Sequence, residues 1–217
     1  MDATIRPVPP DIAPGDLDEH VRTRLLNAAV RVFDRKGYAG ASVREVAELA
    51  GVTKPALYYH FGSKEGVLRA ILDQAKQEFS QVAGRAFGRS GPARERIVAF
   101  CQEVYGLFGQ NVPVARVALA VFLGPPDVMP SYDFTVFEVE FRSALERIVA
   151  EGQAAGELRQ VPPTDIALAV MGILEECNER QLHPEFQPAG PDVLARLLGL
   201  LFDGVAVREG RAGEQGS

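Results

Sequence analysis

Four polar side chains that can hydrogen-bond to nucleic acid lie within seven consecutive residues. Lys54 carries a cation, Tyr58 and Tyr59 carry phenols, and His60 carries an imidazole. Two large apolar side chains, Leu57 and the following Phe61, share one helix face at i, i+4 spacing and should point into a core. The four polar side chains are then left outside, where they suit the base edges and phosphates of a DNA major groove. An ordinary helical hairpin with exposed tyrosines is the alternative interpretation.

The preceding residues predict two helices joined by a tight turn. Ser42 and Glu45 have the three-residue spacing of a capping box, in which each side chain accepts a hydrogen bond from the other residue's backbone. Gly51 can adopt the left-handed conformation that ends a helix. Thr53 is expected to cap the next helix, where Pro55 costs little because first-turn N–H groups have no intrahelical partner. This arrangement is typical of a helix-turn-helix DNA-binding domain, which we call the reader.

The stretch from about Arg22 to Leu68 resembles the DNA-binding region of the tetracycline-repressor (TetR) family of bacterial transcription regulators. The resemblance rests on RTRLLNAAVRVFDRKGYAGASV, in which Gly37 is expected to end the first helix, and on VREVAELAGVTKPALYYHFGSKEGVL. It implies an all-α fold, with an N-terminal three-helix helix-turn-helix DNA-binding domain and a larger helical ligand-binding and dimerisation domain.

The resemblance also implies a set of DNA contacts. The residues expected to meet bases are Arg44, Lys54, Pro55 and Tyr58. The residues expected to meet phosphates or to orient the helix are Ser42, Thr53, Tyr59, His60 and Lys64. The implied partner is double-stranded DNA with a palindromic operator.

The charge distribution agrees with a DNA reader, although the whole chain carries a net charge of −6. Residues 20–66 contain eight Lys and Arg against four Asp and Glu, which gives this segment +4 and leaves −10 for the remainder. A basic reader joined to an acidic body is the asymmetry expected of such a protein. We expect its binding to DNA to be salt-sensitive, because phosphate contacts release counterions.

The chain is expected to divide into four parts. They are a flexible proline-containing arm (1–19), the DNA-binding domain (20–66), a helical effector-binding and dimerisation domain (67–208) and a flexible tail (209–217). The helices predicted after the reader span about 64–87, 92–109, 114–123, 131–155, 164–183 and 190–208. No stretch approaches 18 consecutive apolar residues and no secretory signal pattern is present, which favours a cytoplasmic protein without membrane contact.

The last two predicted helices are more apolar than one-faced surface helices require. Two such helices from each of two subunits would form a four-helix interface, and the two-fold symmetry would present two recognition helices to successive major grooves about 34 Å apart. Alternatively, they complete the core of a monomer. The residues expected at a homodimer interface are Ala167, Val170, Ile173, Leu174, Leu194, Leu197, Leu198, Leu201 and Val205.

The middle helices supply candidates for a small-molecule effector site, and Phe- and Met-rich lining suits an apolar or aromatic molecule. The candidates are Phe100, Val104, Tyr105, Phe108, Phe122, Met129, Phe134, Phe137, Phe141, Met171 and Glu175. Ordinary core packing competes with each assignment. The acidic residues that flank them, one of which could select a cationic effector, are Glu138, Glu140, Glu175 and Glu176.

Enzyme, metal and cofactor chemistry have little support in the sequence. The three histidines are too scattered for a metal cluster, and no nucleophile motif, phosphate-binding glycine loop or CxxC occurs. Cys101 and Cys177 are expected to be buried free thiols, with a redox switch as the alternative. The sequence therefore predicts a ligand-responsive DNA-binding repressor. The alternative is a helical small-molecule-binding or interaction protein with a vestigial DNA contact.

Overall fold

The computed structural model of the chain describes residues 14–125, 128–183, 185–187 and 189–205. Every regular element in that part of the chain is an α-helix, which confirms the predicted fold class. The helices are, in chain order, α1 (Pro14–Gly40), α2 (Val43–Ala50), α3 (Lys54–Phe61), α4 (Lys64–Gly88), α5 (Ala93–Gln110), α6 (Val112–Leu123), α7 (Thr135–Ala154), α8 (Pro163–Leu182) and α9 (Pro191–Val205). The predicted tail (209–217) and the first 13 residues of the predicted arm lie outside the described residues.

Helix α1 starts earlier than the sequence predicted. The arm was expected to reach residue 19, but residues 14–19 are helical. Two acidic side chains of this stretch have basic partners: Asp18 lies 3.6 Å from the His60 imidazole, and Glu19 lies 3.8 Å from the Arg22 guanidinium. The prolines that suggested an arm do not prevent the helix, because Pro14 occupies its first position.

Gly37 interrupts α1 near its end, as predicted. Its φ of 70° and ψ of 164° are not helical, and a side chain would strain this backbone. After the break the chain makes one more turn, closed by a hydrogen bond from the Ala41 N–H to the Tyr38 carbonyl at 3.3 Å.

Two compact units divide the chain, and their limits differ from the predicted domains. The first comprises residues 1–73 and 117–131, and the second comprises 74–116 and 132–217. Helix α4 is continuous and contributes to both units, so the boundary falls within it and not at its start. Its buried apolar residues divide accordingly: Val67, Leu68, Ile71 and Leu72 belong to the first unit, and Phe79, Val82, Ala83 and Ala86 to the second.

The first unit is built on the packing of α1 against α2 and α3. The buried positions of α1 recur at helical spacing and form one apolar face. The residues of this core that come from α1, α2 and α3 are Leu25, Leu26, Ala28, Ala29, Val32, Phe33, Val46, Ala47, Ala50 and Leu57.

The second unit has α5 at its centre, in contact with α7, α8 and α9. Aromatic rings join its helices: the ring centroids of Phe100 and Phe141 are 4.9 Å apart, and those of Phe79 and Phe137 are 5.3 Å apart. Edge-to-face and tilted contacts at such distances add stability beyond the burial of area alone.

The starts of α7 and α8 differ from the sequence prediction, each for a local reason. Helix α7 begins at Thr135 and not near residue 131, because the Asp133 carboxylate accepts hydrogen bonds from the Thr135 N–H and hydroxyl at 2.9 and 2.6 Å. Thr164 was expected to cap α8. Pro162 precedes the helix instead, and the Thr164 hydroxyl donates to Glu146 at 2.8 Å.

Both cysteines are free and buried, as predicted. Burial raises the pKa of the Cys101 thiol to about 12 and also raises the pKa of Cys177. Since the thiolate is the reactive species, the two residues act as small apolar side chains of the core.

Candidate nucleic-acid interface

Helix α1 holds α2 in place through two basic side chains. The Arg24 guanidinium donates to the Ala50 carbonyl and, at 3.2 Å, to the Gly51 carbonyl, so it caps the end of α2. Lys36 pairs with Glu45, the acidic residue of the capping box. Carbonyls at a helix end lack intrahelical partners, so the Arg24 contacts stabilise both α2 and the turn that follows.

The predicted capping box of α2 is present. The Glu45 N–H donates to the Ser42 hydroxyl oxygen at 3.2 Å, and the Ser42 N–H donates to the Glu45 carboxylate at 3.1 Å. The hydrogen bond from Lys36, together with those from Ser42, lowers the pKa of Glu45 from its ordinary 4.5 to about 2. The Glu45 carboxylate therefore joins Lys36 of α1 to the start of α2.

The turn between α2 and α3 has the predicted glycine geometry. Gly51 has a φ of 65° and a ψ of 38°, in the left-handed region. The Val52 N–H donates to the Ala47 carbonyl at 3.0 Å, and the Gly51 N–H to the Glu48 carbonyl at 3.1 Å. Thr53 precedes α3 as predicted, but its side chain makes no capping hydrogen bond.

Helix α3 presents one side to the core and the other to solvent. Leu57 is fully buried, whereas Tyr58 and Tyr59 are 51% and 80% exposed. The remaining predicted contacts of this segment are exposed as well: Thr53, Lys54 and Pro55. Large phenol side chains that remain outside a short helix are available for hydrogen bonds and stacking with a partner.

His60 does not share this exposure. Its side chain is only 7% exposed and lies 3.6 Å from the Asp18 carboxylate of α1. Its ring also contacts those of Tyr59 and Phe61, at 5.2 and 6.0 Å between centroids. Of the two roles expected for His60, a phosphate contact or orientation of the helix, this placement favours the second, because the imidazole joins α3 to α1.

Lys64 is also occupied within the protein. Its ammonium group donates to the carbonyls of Tyr38 and Ala41 at 2.8 and 3.1 Å, and lies 4.2 Å from the centroid of the Tyr38 ring. These carbonyls follow the break at Gly37, so Lys64 closes the end of α1. Of the two roles expected for Lys64, a phosphate contact or orientation of the helix, these internal contacts favour the second.

Arg44 lies on the outer side of α2. Its guanidinium is 71% exposed and its Nε donates to the Glu48 carboxylate at 2.6 Å, which raises the pKa of Arg44. Glu48 was not among the predicted site residues, although its spacing of four from Arg44 could have indicated the pair.

The predicted effector residues fall into three groups. Those buried in the second unit are Phe100, Val104, Tyr105 and Phe141. Those at its half-buried margin are Phe108, Phe134, Phe137 and Met171. Glu175 is exposed, while Phe122, which is 62% exposed, and half-buried Met129 belong to the first unit. The fully buried group packs as ordinary core, so the margin residues are the better candidates.

The predicted dimer residues also need correction. Five of them are buried within the single chain: Ala167, Val170, Leu174, Leu194 and Leu198. Three are half-buried: Ile173, Leu197 and Leu201. The side chain of Val205 lies outside the described residues. The apolar side chains that α8 and α9 expose most are Leu168, at 55%, and Leu200, at 70%, and neither was predicted because both lie off the main apolar stripe.

A shallow groove of about 300 Å³ follows the outer side of α9. The residues that line it are Val193, Arg196, Leu197, Gly199, Leu200 and Asp203. This lining combines apolar side chains with Arg196 and Asp203, as many protein–protein contacts do.

The described ranges contain neither a metal-binding cluster nor a single membrane-spanning helix. No three His, Cys, Asp or Glu side chains are grouped so that they could hold a metal ion. No single described helix is long and apolar enough to cross a membrane; by length and composition only, α5 and α6 would pass as a pair bent by 95°.

Comparison with known proteins agrees with the geometry of the first unit. The family model "Bacterial regulatory proteins, tetR family" matches residues 25–71. The chain is similar to the HTH-type transcriptional regulator TtgR of Pseudomonas putida, with 35% identity over 65 residues, or 30% of this chain and 31% of that protein. It is also similar to the A-factor receptor protein of Streptomyces griseus, with 33% identity over 138 residues, or 62% of this chain and 45% of that protein. The matches thus span less than half the length of these two relatives.

Solved structures resemble the chain over both of its units, and not only over the DNA-binding domain. A gamma-butyrolactone receptor described as ArpA-like has 26% sequence identity and a TM-score of 0.67, covering 88% of this chain and 90% of its own. The second unit therefore has the same fold as well. Residues 25–71 therefore belong to the TetR family of bacterial regulatory proteins, and the chain shares the fold of a solved member of that family.

Proposed function

We propose that the protein is a ligand-responsive transcriptional repressor of the bacterial cytoplasm, released from a palindromic operator when a small effector binds the second unit. The observation that carries this proposal is the exposed side of α3, where Lys54, Tyr58 and Tyr59 project from a helix that α1 and α2 hold rigidly. Recognition helices of this kind enter the major groove and contact base edges.

We propose a smaller set of direct DNA contacts, chosen by exposure. Arg44, Lys54, Pro55 and Tyr58 remain the candidates for base contacts, since all four are exposed. The candidates for phosphate contacts are Ser42, Thr53 and Tyr59. His60 and Lys64 support the reader from within, so their effect on DNA binding is indirect.

The proposed homodimer uses the outer sides of α8 and α9. Leu168 and Leu200 are exposed there, and half-buried Ile173, Leu197 and Leu201 lie on the same two helices. A second copy that covers these side chains would remove them from water and present a second reader to the other half of a palindrome.

The proposed effector is apolar or aromatic and lies against the rings at the margin of the second core. Phe134 and Phe137 are half-buried, and their tilted rings lie 6.1 Å apart between centroids, so a ligand can cover them without unfolding of the core. Two of the similar proteins are named as receptors, one of them for gamma-butyrolactones. Gamma-butyrolactones with alkyl side chains are therefore the first compounds to test.

The operator is tested with purified full-length protein and fragmented genomic DNA. We expect the bound fragments to share one inverted repeat that footprinting shows as a single protected site. Tyr58→Ala should weaken operator binding by about 1–3 kcal/mol without a change in melting temperature, because the phenol is exposed and contacts bases only in the complex. Recovery of fragments without a common repeat would contradict the proposal.

The effector is tested by thermal shift and by release of the operator. A lactone that binds the native protein should raise the melting temperature in proportion to the logarithm of its concentration above Kd. The same lactone should release the operator over the same concentration range. Release without a thermal shift would show that the compound acts on the DNA or on the assay.

A further inference from the structure

An acidic side chain lies on the outer side of α2, where a DNA reader would be expected to avoid negative charge. Glu48 is 61% exposed and is one helical turn beyond Arg44, which is 71% exposed. A carboxylate near a phosphate backbone opposes binding. Exposed i, i+4 ion pairs contribute little to stability, so stability alone gives no strong reason for this residue.

The geometry of the pair restricts how Arg44 can meet DNA. The hydrogen bond at 2.6 Å runs from Nε of Arg44 to Oε1 of Glu48. A guanidinium has five N–H donors, and this bond occupies the one on Nε. This bond leaves the two terminal nitrogens unused, and they form the fork that donates end-on to O6 and N7 of guanine.

The other acidic residue of α2 cannot supply this contact. Glu45 is held by Lys36 and Ser42, on the side of α2 that meets α1. Within the described residues, Arg44 therefore pairs with one carboxylate, that of Glu48, which lies on the same short helix. An arginine with its Nε bound in this way samples fewer rotamers before it reaches the groove.

We propose that Glu48 determines specificity by positioning Arg44: it holds the guanidinium fork towards a guanine and opposes binding to non-operator DNA. The first effect strengthens discrimination at one base pair. The second effect increases the ratio of operator to non-operator affinity. On DNA that offers Arg44 no guanine, no base contact offsets the repulsion between the Glu48 carboxylate and the phosphates. This inference rests on the proposed function, that the helix-turn-helix reads an operator.

The test compares the base preferences of full-length variants, measured by selection from a randomised operator library. Arg44→Ala identifies the base pair that Arg44 reads. At that pair, Glu48→Ala should lower the preference for guanine about three- to tenfold, a part of the discrimination that a bidentate contact provides. Glu48→Gln keeps an oxygen acceptor, so it should restore part of the preference. Both Glu48 variants should bind non-operator DNA more tightly than the wild type.

Two controls separate positioning from a general change of charge. Glu65→Ala removes a carboxylate from another exposed i, i+4 pair, with Arg69 on α4, and should leave the base preferences unchanged. In the Arg44→Ala background, Glu48→Ala should have no further effect at the identified pair. The inference would be overturned if Glu48→Ala had the base preferences of the wild type. It would also be overturned if Glu48→Ala changed the preference at the identified pair equally with Arg44 present and with Arg44→Ala. A wild-type protein that selects no sequence would overturn the proposed function itself.

Discussion

Two lysines of the first unit carry the same charge in opposite surroundings. Lys54 is exposed at the start of α3, whereas Lys64 donates to two backbone carbonyls and covers the Tyr38 ring. A cation that faces DNA acts on affinity through the phosphates or bases. A cation that is bound within the domain acts through the stability of the domain that carries the reader.

Replacement of each lysine by methionine should separate these two effects. Lys64→Met should destabilise the protein by about 1–3 kcal/mol, the usual contribution of hydrogen bonds to a charged group. Lys54→Met should leave the stability unchanged and weaken operator binding. If Lys54 contacts a phosphate, its loss should also reduce the slope of log K against log salt concentration by about one, because one counterion fewer is released. Urea unfolding and operator titration at several salt concentrations are the measurements. A shallower salt dependence for Lys64→Met would restore that residue to the DNA contacts.

The carboxylate of Glu45 should give the first unit a pH-dependent stability. Its pKa is lowered to about 2 in the folded protein, from an ordinary value of 4.5. The stabilising contribution is therefore complete above pH 4.5 and is lost as the pH falls towards 2, because the unfolded chain takes up the proton first. The difference in unfolding free energy between the wild type and Glu45→Gln should shrink over this interval. A difference that stays constant across it would exclude the ion pair with Lys36 as the cause.

At the scale of elements, the short helices α2 and α3 depend on their ends. Each has eight residues, which is too short for stability in isolation. Capping by Ser42, the left-handed turn at Gly51 and the Arg24 contacts hold α2 and the start of α3 in register. Exposed polar residues of α3 can therefore be varied for DNA recognition without loss of the local fold.

Glycine substitutions test this dependence with opposite expected signs. Gly51→Ala should cost at least about 1–2 kcal/mol, since a side chain is strained at its φ of 65° and its Cβ, 2.7 Å from Nη2 of Arg24, would also disturb the hydrogen bonds of that guanidinium. Gly84→Ala, in the exposed part of α4 with nothing near a new methyl group, should stabilise by about 0.5–1 kcal/mol. Thermal unfolding of both variants is the measurement. Similar losses in both would show that the left-handed conformation is not required.

At the scale of the whole molecule, α8 and α9 bury one side in the core and expose apolar side chains on another. Their inward residues, such as Val170 and Leu198, belong to the core of the single chain. Their outward residues, Leu168 and Leu200, lie where a second copy is proposed to pack. The proposed dimer would thus account for the apolar side chains that both helices carry on more than one side.

Leu200→Arg should dissociate the proposed dimer without unfolding the chain. A charge buried without a partner costs about 2 kcal/mol or more, which raises the dimer Kd at least about 30-fold. Leu123→Arg is the matched control, because Leu123 is equally exposed, at 70%, on α6. Analytical ultracentrifugation should show monomers for the first variant only, with weaker operator binding. Dimers of unchanged Kd in Leu200→Arg would place the interface elsewhere.

The sequence by itself determined the all-α class, the capping box, the glycine turn and the exposed tyrosines of α3. These features depend on contacts within a few residues, so residue type and spacing are enough to predict them. The tertiary structure alone decided that Lys64 and His60 face inward, because their partners lie 23 to 42 residues away in α1 and the turn that follows it. It also decided which apolar positions of α8 and α9 remain outside, since helix periodicity identifies an apolar face but not how many neighbours cover it.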